Sequence, residues 1–590
     1  MMRKLTPEEI ELLKSQGNRA EKWDAIDVDE HFEVSNIWDN VFGENVRIAA
    51  LEDKWLSDGD TQLKSGIVRS YLRNCEIGLN SAVYNVALLD GYKLGEMCLV
   101  MNVNELVATN PEELKPVPLE VMNENGGRYI YPFAGMTIAD ATLWARYRGR
   151  KQLMEKLESA ALQELHSKGL CVIGAGAVVK NSREIKNVAV LSSLQAPSKI
   201  YDCTVLTDGV VGYGCRLEYG IIAQRFLLGE NVKLEYGLRL NDTVVGDNST
   251  LARCEIGNSI IFPSHEQHHN NSFLIAGLIQ GQSNIAAGGT LGSNHNGRTA
   301  DNELAAGRGF WPGLCVSVKH SSRFASYTLL AKADYPAELD IRLPFALVNN
   351  NVCQNRLEVM PAYWWMYNMY ALNRNIRKFA QRDKRYYKVQ HIEFDPFAPD
   401  TAEEMLEGRR LLEVSDYGKN RLPFEHGKRE VVILKPEAGY KAYEDMIVYY
   451  AMRVISSLPA PYPLLTPEKG EREKVWINLG GQLVAGTDME VLIADVENGT
   501  LSGWADIHSR LDLLWEQYPA KKQAHAYKIL CALYKVGAIS QELWDELQEK
   551  IRKIEEFVEV QRVATRRKDE ENPFRNMTYW DEDERLAVLG

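Results

Sequence analysis

Three stretches of the chain, VGYGCRLEYG at residues 211–220, LGENVKLEYG at 228–237 and VGDNSTLARC at 245–254, align without gaps at a constant step of seventeen positions. The same step counted back from Val211 reaches Leu194, with Ile200 six residues on; counted forward it reaches Phe262 and then Ile279, with Ile285 six residues on. The hexad inside each register recurs as FGENVRI from Phe42, IGLNSAV from Ile77, LGEMCLV from Leu94 and IGAGAVV from Ile173, and more loosely as FWPGLCV from Phe310. Its first position is usually aliphatic, its second often Gly, and its fifth often small, as at Ser81, Cys98, Ala177, Ser198, Cys215, Ser249 and Ser283. A fixed period of this kind marks one unit stacked on copies of itself. The physical reading is a coil of short parallel strands. The aliphatic residue fills the interior, the small residue sits inward near a corner, and Gly relieves the turn. Each register then advances the stack by one strand spacing, ~4.8 Å.

These hexads resemble those of the hexapeptide-repeat superfamily over roughly residues 40–105 and 170–350. The whole chain resembles an uncharacterised bacterial family of long hexapeptide-repeat proteins with a helical C-terminal region. The resemblance implies a left-handed parallel β-helix; the crossover rule for parallel strands would by itself favour right-handed connections. The expected fold class is therefore a mainly β solenoid plus α, with a helical insertion and an α-helical C-terminal domain.

The expected organisation is a helical or irregular lead-in at 1–40, first coils at 41–105, a helical insertion at 106–170, the main β-helix at 171–355 with a polar loop at 294–309, and the helical domain at 356–590. In the insertion, NPEELKPVP breaks the repeat, and Thr137 to Leu165 reads as an amphipathic helix opened by a Thr137/Asp140 capping box. After about residue 355, Tyr363, Trp364, Trp365, Tyr367 and Tyr370 lead into a basic run at Arg374, Arg377, Lys378 and Arg382. Apolar crowding reads this segment as a helix packed on the last coils. A long helix from about Gln541 to Val563 carries Leu543, Leu547, Ile551, Ile554 and Val558 at helical spacing. Such a region would cap the end of the stack, where strand edges are otherwise exposed.

Composition narrows the function classes. With 68 basic and 81 acidic residues the net charge is −13, which argues against a general nucleic-acid surface. No apolar run approaches the roughly 18 residues needed to cross a bilayer, and the opening MMRKLTPEEIELLKSQG reads as a charged helix. Nine cysteines without a CxxC pair fit buried thiols in a reducing compartment. Cytoplasmic location, no membrane and no nucleic-acid partner are expected. HEQHH at 265–269 matches a zinc-protease string but lies in the repeat, where no helix would bring its histidines together. GAGAVVK from Gly174 and GYGCR from Gly212 are ordinary hexads. Sugar-nucleotide pyrophosphorylases carry similar coils, but residues 1–40 are too short for their catalytic domain.

Five of the eleven histidines, His265, His268, His269, His295 and His320, fall within residues 265–320. The register counted from Phe262 puts Glu266 at the small inward position and His268 at the aliphatic one, a local inconsistency of the sort found at functional sites. Between Ile279 and Phe310 the coil ejects fourteen positions beyond one period. His295 stands at the base of that loop in the string Asn294-His295-Asn296-Gly297-Arg298. Hexapeptide-repeat acyltransferases use a coil histidine as general base toward a coenzyme A or carrier-protein thioester. The resemblance therefore implies transfer of an acyl group to a sugar or nucleotide-sugar acceptor, a small-molecule substrate. Catalytic candidates are His295, His268 and His320. Asn294, Arg298, Arg308, Lys319, His269 and Glu266 are the substrate-binding candidates. A non-catalytic sugar-phosphate or nucleotide-sugar binding or scaffolding protein is the alternative, and a purely structural role for His295 or a three-histidine metal site also fit the cluster. No metal is assigned. Members of that superfamily usually build the acyl-donor groove between subunits of a homo-oligomer; the large C-terminal part here stands in the way of the usual trimer.

Overall fold

The computed structural model describes residues 1–109, 117–124, 126–168, 172–202, 204–414, 424–427, 429–456 and 471–589. Its core is a left-handed parallel β-helix of about 18 turns, accompanied by twelve α-helices among the described residues. Leu206, Ala223, Leu240 and Ile256 follow one another in parallel register, as do Leu217, Leu234 and Leu251 on a second face. All of these side chains are buried in one continuous interior. The small fifth-position residues, Ser81, Cys98, Ala177, Ser198, Cys215, Ser249 and Ser283, are buried as well. Ser198 Oγ shows why a small polar residue suits that place: it lies 2.8 Å from the carbonyls of both Leu191 and Gly212, one coil apart, and its single proton can serve either.

The first coil lies within the stretch read as a lead-in. Arg19–Ala20, Ile26–Asp29 and Ile37–Trp38 pair in parallel with Val41–Phe42, Val46–Ile48 and Gly66–Val68. Helix α1 (Pro7–Ser15) precedes it, with a complete Thr6/Glu9 capping box. Leu99 pairs with Val178, more than four periods further along the chain. The intervening excess carries a short hairpin and helices α2 (Ile138–Arg146) and α3 (Lys151–Lys168). The expected continuous helix is broken at residues 147–150, while the Thr137/Asp140 capping box forms as the sequence requires. The insertion packs on one flank of the coil, where Ala189, Val210, Leu227, Val244 and Ile260 face outward and are buried by Leu143, Trp144, Leu153 and Leu157. Strands covered on both faces read as near-continuous apolar runs, and GVV, FLL, TVV and SII do.

One register falls a single position short of the period. Thr250 pairs with Glu266 and Val245 with Ile261, each one position early; the next turn is one position long and restores the phase, with Ile261 opposite Ile279. Ile261, not Phe262, therefore begins this hexad. A one-residue slip exchanges inside for outside in a strand. His265 and Gln267 point into the interior and are fully buried, whereas Glu266 and His268 face outward. This corrects the expected placement of Glu266 and His268. The later loop also differs in length: Thr290 pairs with Ser317, so ten positions rather than fourteen exceed one period.

Beyond the last coil the antiparallel hairpin of Leu347–Asn351 and Arg356–Met360, with Glu430–Ile433 alongside, closes the sheet. Helices α4 (Tyr363–Tyr367) and α5 (Met369–Arg382) follow, then α6 (Pro399–Val414), α7 (Pro436–Ser456), α8 (Gly486–Glu497), α9 (Trp504–Tyr534), α10 (Gln541–Glu570), α11 (Pro573–Asn576) and α12 (Glu582–Leu589). No described helix is long and apolar enough to cross a membrane. Residues 383–398 form a strap from α5 to α6, fixed to the coil by buried charge. Arg385 Nη1 meets Asp247 at 2.9 Å, and Glu230 accepts the backbone N–H groups of Tyr386, Tyr387 and Lys388. That strap holds α5 across the coil face.

Candidate functional site

Between the coil face and α5, with α10 along the far side, lies a cleft of about 1070 Å³. Its floor comes from successive coils: Glu235 and Tyr236, Thr250 and Arg253, Glu266 and His268, then Asn284, with Trp311 at one end. Helix α5 is amphipathic. Leu372, Asn375 and Phe379 are buried, and this orientation directs Arg374, Arg377, Lys378 and Arg382 to the cleft. Arg562 and Arg566 of α10 complete a ring of seven cations with Arg253. The two helices are tied where Thr565 Oγ1 accepts the N–H of Tyr370 at 3.0 Å.

The charges are only partly neutralised. Glu266 pairs with Lys378 and Arg382, each at 2.9 Å, and bridges the floor to α5. Burial pushes its carboxyl up, but the bond from Lys378 and the fields of Lys378 and Arg382 outweigh burial and hold it below the usual carboxylate range. Arg562 pairs with Glu559, and Arg566 with Glu570. Arg253, Arg374 and Arg377 have no carboxylate within ion-pair distance among the described residues, and all three are exposed. His268 is half-buried in the cleft wall, its ring 4.6 Å from that of His269. Burial lowers its pKa against the opposing pull of Glu266, which keeps the imidazole neutral near pH 7.

Behind this wall, inside the coil, His265 Nε2 and Gln267 Oε1 are 3.2 Å apart, and Gln267 donates to Ser272 Oγ at 3.0 Å. His265 Nδ1 has no hydrogen-bond partner among the described residues. Complete burial pushes the His265 pKa down to about 4.

The remaining expected residues lie elsewhere. His295, in the left-handed region at φ 60°, is exposed on the polar loop, with Nε2 3.2 Å from Ser317 Oγ. Asn294 organises that loop: its Oδ1 accepts the N–H groups of Asn296 at 2.8 Å and Gly297 at 2.6 Å, and its own N–H donates to Asp301. With Arg298 they line an open recess of about 820 Å³ that shares no lining residue with the cleft. Lys319 is engaged by Glu338 at 2.8 Å, and His320 Nδ1 accepts the N–H of Asn302 at 3.1 Å. Arg308 is 1% exposed and bidentate on Asp400, at 2.8 and 2.9 Å, with Nη1 also on the carbonyl of Asp395 at 3.0 Å. It clamps α6 to the coil, out of reach of a ligand. The five histidines are thus spread over the interior, the cleft and the loop, and among the described residues no three potential ligands gather in a metal-holding arrangement.

The basic run on α5 was visible in the sequence and read there as packing; the helix does bury Leu372, Asn375 and Phe379, and its cations line the cleft. Arg253, Arg562 and Arg566 carried no comparable signal, because only the tertiary fold brings them beside α5.

Fold and site together define a β-helix protein whose coil face is roofed by C-terminal helices around a basic cleft. The chain belongs to the family described as Domain of unknown function (DUF4954), which matches residues 2–415. It is also similar to an uncharacterized protein of Treponema pallidum (strain Nichols), 40% identical over 652 aligned residues that cover 100% of this chain and 90% of the relative. Neither description names the hexapeptide-repeat superfamily or an activity.

Proposed function

We propose that the cleft binds a phosphate-bearing small molecule of the sugar-phosphate or nucleotide-sugar class. One observation carries this reading: three exposed arginines, without carboxylate partners among the described residues, converge on one cleft in a chain of net charge −13. Planar guanidinium groups match phosphate oxygens in bidentate fashion, and cations left unneutralised in a concave site favour an anionic occupant. The neutral amides and hydroxyls of Thr250, Asn284 and Asn373 in the same lining suit sugar hydroxyls. Calorimetric titration with inorganic pyrophosphate and glucose 1-phosphate tests the reading. The double variant Arg374→Ala/Arg377→Ala is expected to weaken binding at least about tenfold with an unchanged melting temperature, since both side chains are exposed. Unchanged affinity in that variant refutes it.

A second reading, acyl transfer, is favoured by the neutral imidazole of His268 in the same cleft. A coenzyme A thioester carries phosphates suited to the same cations, and a base with a pKa near or below neutrality accepts a proton from an acceptor hydroxyl. On this reading the base is His268 and not His295. Transfer from acetyl coenzyme A that survives His268→Ala would remove that assignment.

A further inference from the structure

A corner of the coil next to the cleft departs from the Asn and Asp run of the turns just before it. Along it, one residue per turn adopts the left-handed conformation, and four successive turns carry Asn85, Asn102, Asn181 and Asp202, at φ 54°, 54°, 55° and 59°. Their side chains form a ladder: Asn85 donates to Asn102 at 3.0 Å, Asn102 to Asn181 at 3.0 Å, and Asn181 to Asp202 at 3.2 Å. Asn and Asp tolerate this backbone well. The next three turns put Tyr219, Tyr236 and Arg253 there, at φ 62°, 56° and 56°, and Asn271 then resumes the series at φ 60°. For bulky side chains this conformation is strained. Arg69, at φ 49°, is a bulky residue at this corner in an earlier turn, but Tyr219, Tyr236 and Arg253 follow one another in three successive turns, and Tyr236 and Arg253 line the cleft.

The three side chains form a flat, exposed stack. Tyr219 and Tyr236 lie 5.0 Å apart and 11° from parallel, and the Arg253 guanidinium stands 4.5 Å from the Tyr236 ring centre. Tyr236 and Arg253 line the cleft and also an adjoining recess of about 870 Å³ that contains Arg239, Asn270, Asn271 and Phe273. The stack is the ridge between two compartments. One is dominated by cations; the other offers a ring, a guanidinium plane and amides.

Resting on the phosphate-binding reading of the cleft, we infer that the ligand is a nucleoside diphosphate or a conjugate of one. Its phosphates lie in the cleft, and its base lies over the Tyr236–Arg253 ridge against Phe273. Arg planes and aromatic rings stack on nucleobases, and Asn270 and Asn271 can both donate to and accept from a base edge. A plain sugar phosphate would leave the second compartment unused.

The test compares UDP and ADP with inorganic pyrophosphate by calorimetry on the full chain at low salt. Base stacking predicts that at least one nucleoside diphosphate binds roughly tenfold or more tightly than pyrophosphate. Phe273→Ala should erase that advantage and leave pyrophosphate affinity unchanged. Tyr236→Asn, which restores the residue type of the neighbouring turns and so keeps the corner intact, should reduce the advantage similarly. Equal affinity for pyrophosphate and both nucleotides, or an advantage that survives both variants, overturns this inference and leaves the phosphate-binding reading standing. Failure of all probes to bind overturns both.

Discussion

Replacing Arg308 with alanine separates a substrate-binding arginine from a structural one. In the folded protein its guanidinium is buried and donates to both oxygens of Asp400, to the carbonyls of Glu393 and Asp395, and to Gln282 Oε1. Alanine removes every one of those donors and leaves Asp400 uncompensated beside Glu404, whose carboxyl is already pushed up to about 7 by burial and by Asp400 itself. Breaking a buried pair from one side costs about 3–5 kcal/mol. Unfolding entropy of ~2.1 cal/mol/K per residue amounts to roughly 1.2 kcal/mol/K over 590 residues. The melting temperature should then fall by roughly 2–4 °C if the chain melts as one unit, and by about twice as much if only the last coils and the helical region melt together. Differential scanning calorimetry reads the shift, and pyrophosphate titration below the melting range reads the cleft. The double variant Arg308→Met/Asp400→Leu should recover much of the loss, because an apolar pair of similar volume leaves no buried charge. An unchanged melting temperature with pyrophosphate binding abolished would refute the assignment of Arg308 to the clamp.

Two pH effects follow from buried groups. His265, with its pKa pushed down to about 4 from an ordinary 6.5, binds its proton less readily folded than unfolded, so stability is lost as pH falls from 6.5 toward 4, by up to roughly 3 kcal/mol. His265→Ser, the residue type at positions 249 and 283 in the flanking turns, should melt below the wild type at pH 7.5, and the gap should narrow by pH 4.5; a constant gap in calorimetry refutes it. Glu404 runs the other way, since its raised pKa makes the folded state hold a proton that the unfolded chain gives up between pH 4.5 and 7. Glu404→Gln keeps an acceptor for the Ser326 N–H, now at 3.0 Å, and should raise the melting temperature at pH 8 but hardly at pH 5; equal effects at both would show that the carboxyl is not held protonated.

The coil was legible because its interior imposes a strict rule on the sequence: one aliphatic and one small residue per turn, repeated at a fixed spacing. Ser198, Cys215 and Leu234 are where that rule puts them. What escaped was phase. A deletion of one residue near Cys254 leaves the composition of the next hexad plausible in either register, so counting alone put Glu266 and His268 inside. Only the pairing of Thr250 with Glu266 shows them outside. The cleft was harder still. Its cations come from one coil corner and from α5 and α10, far apart in the chain, and no local pattern joins Arg253 to Arg374 or Arg562. Arg308 was misjudged for the opposite reason: an arginine beside a polar loop looks like a ligand group until its buried partner Asp400, on a distant helix, is known.

The irregularities of the coil nevertheless fall together. The turn shortened by one residue, the polar interior pair His265 and Gln267, and the Tyr219–Tyr236–Arg253 corner all occur within residues 219–268, opposite α5. A regular coil would present Leu at the position of Gln267 and Asn at that of Tyr236, and both choices would favour stability. The slip is also what turns Glu266 and His268 outward. Without it, the strand that now sends Glu266 to Lys378 and Arg382 would bury that carboxylate, and α5 would lose its anchor to the coil floor. The slip and the Tyr236–Arg253 corner both run against what folding alone favours, and both turn groups into the same cleft, which is what a binding site selects.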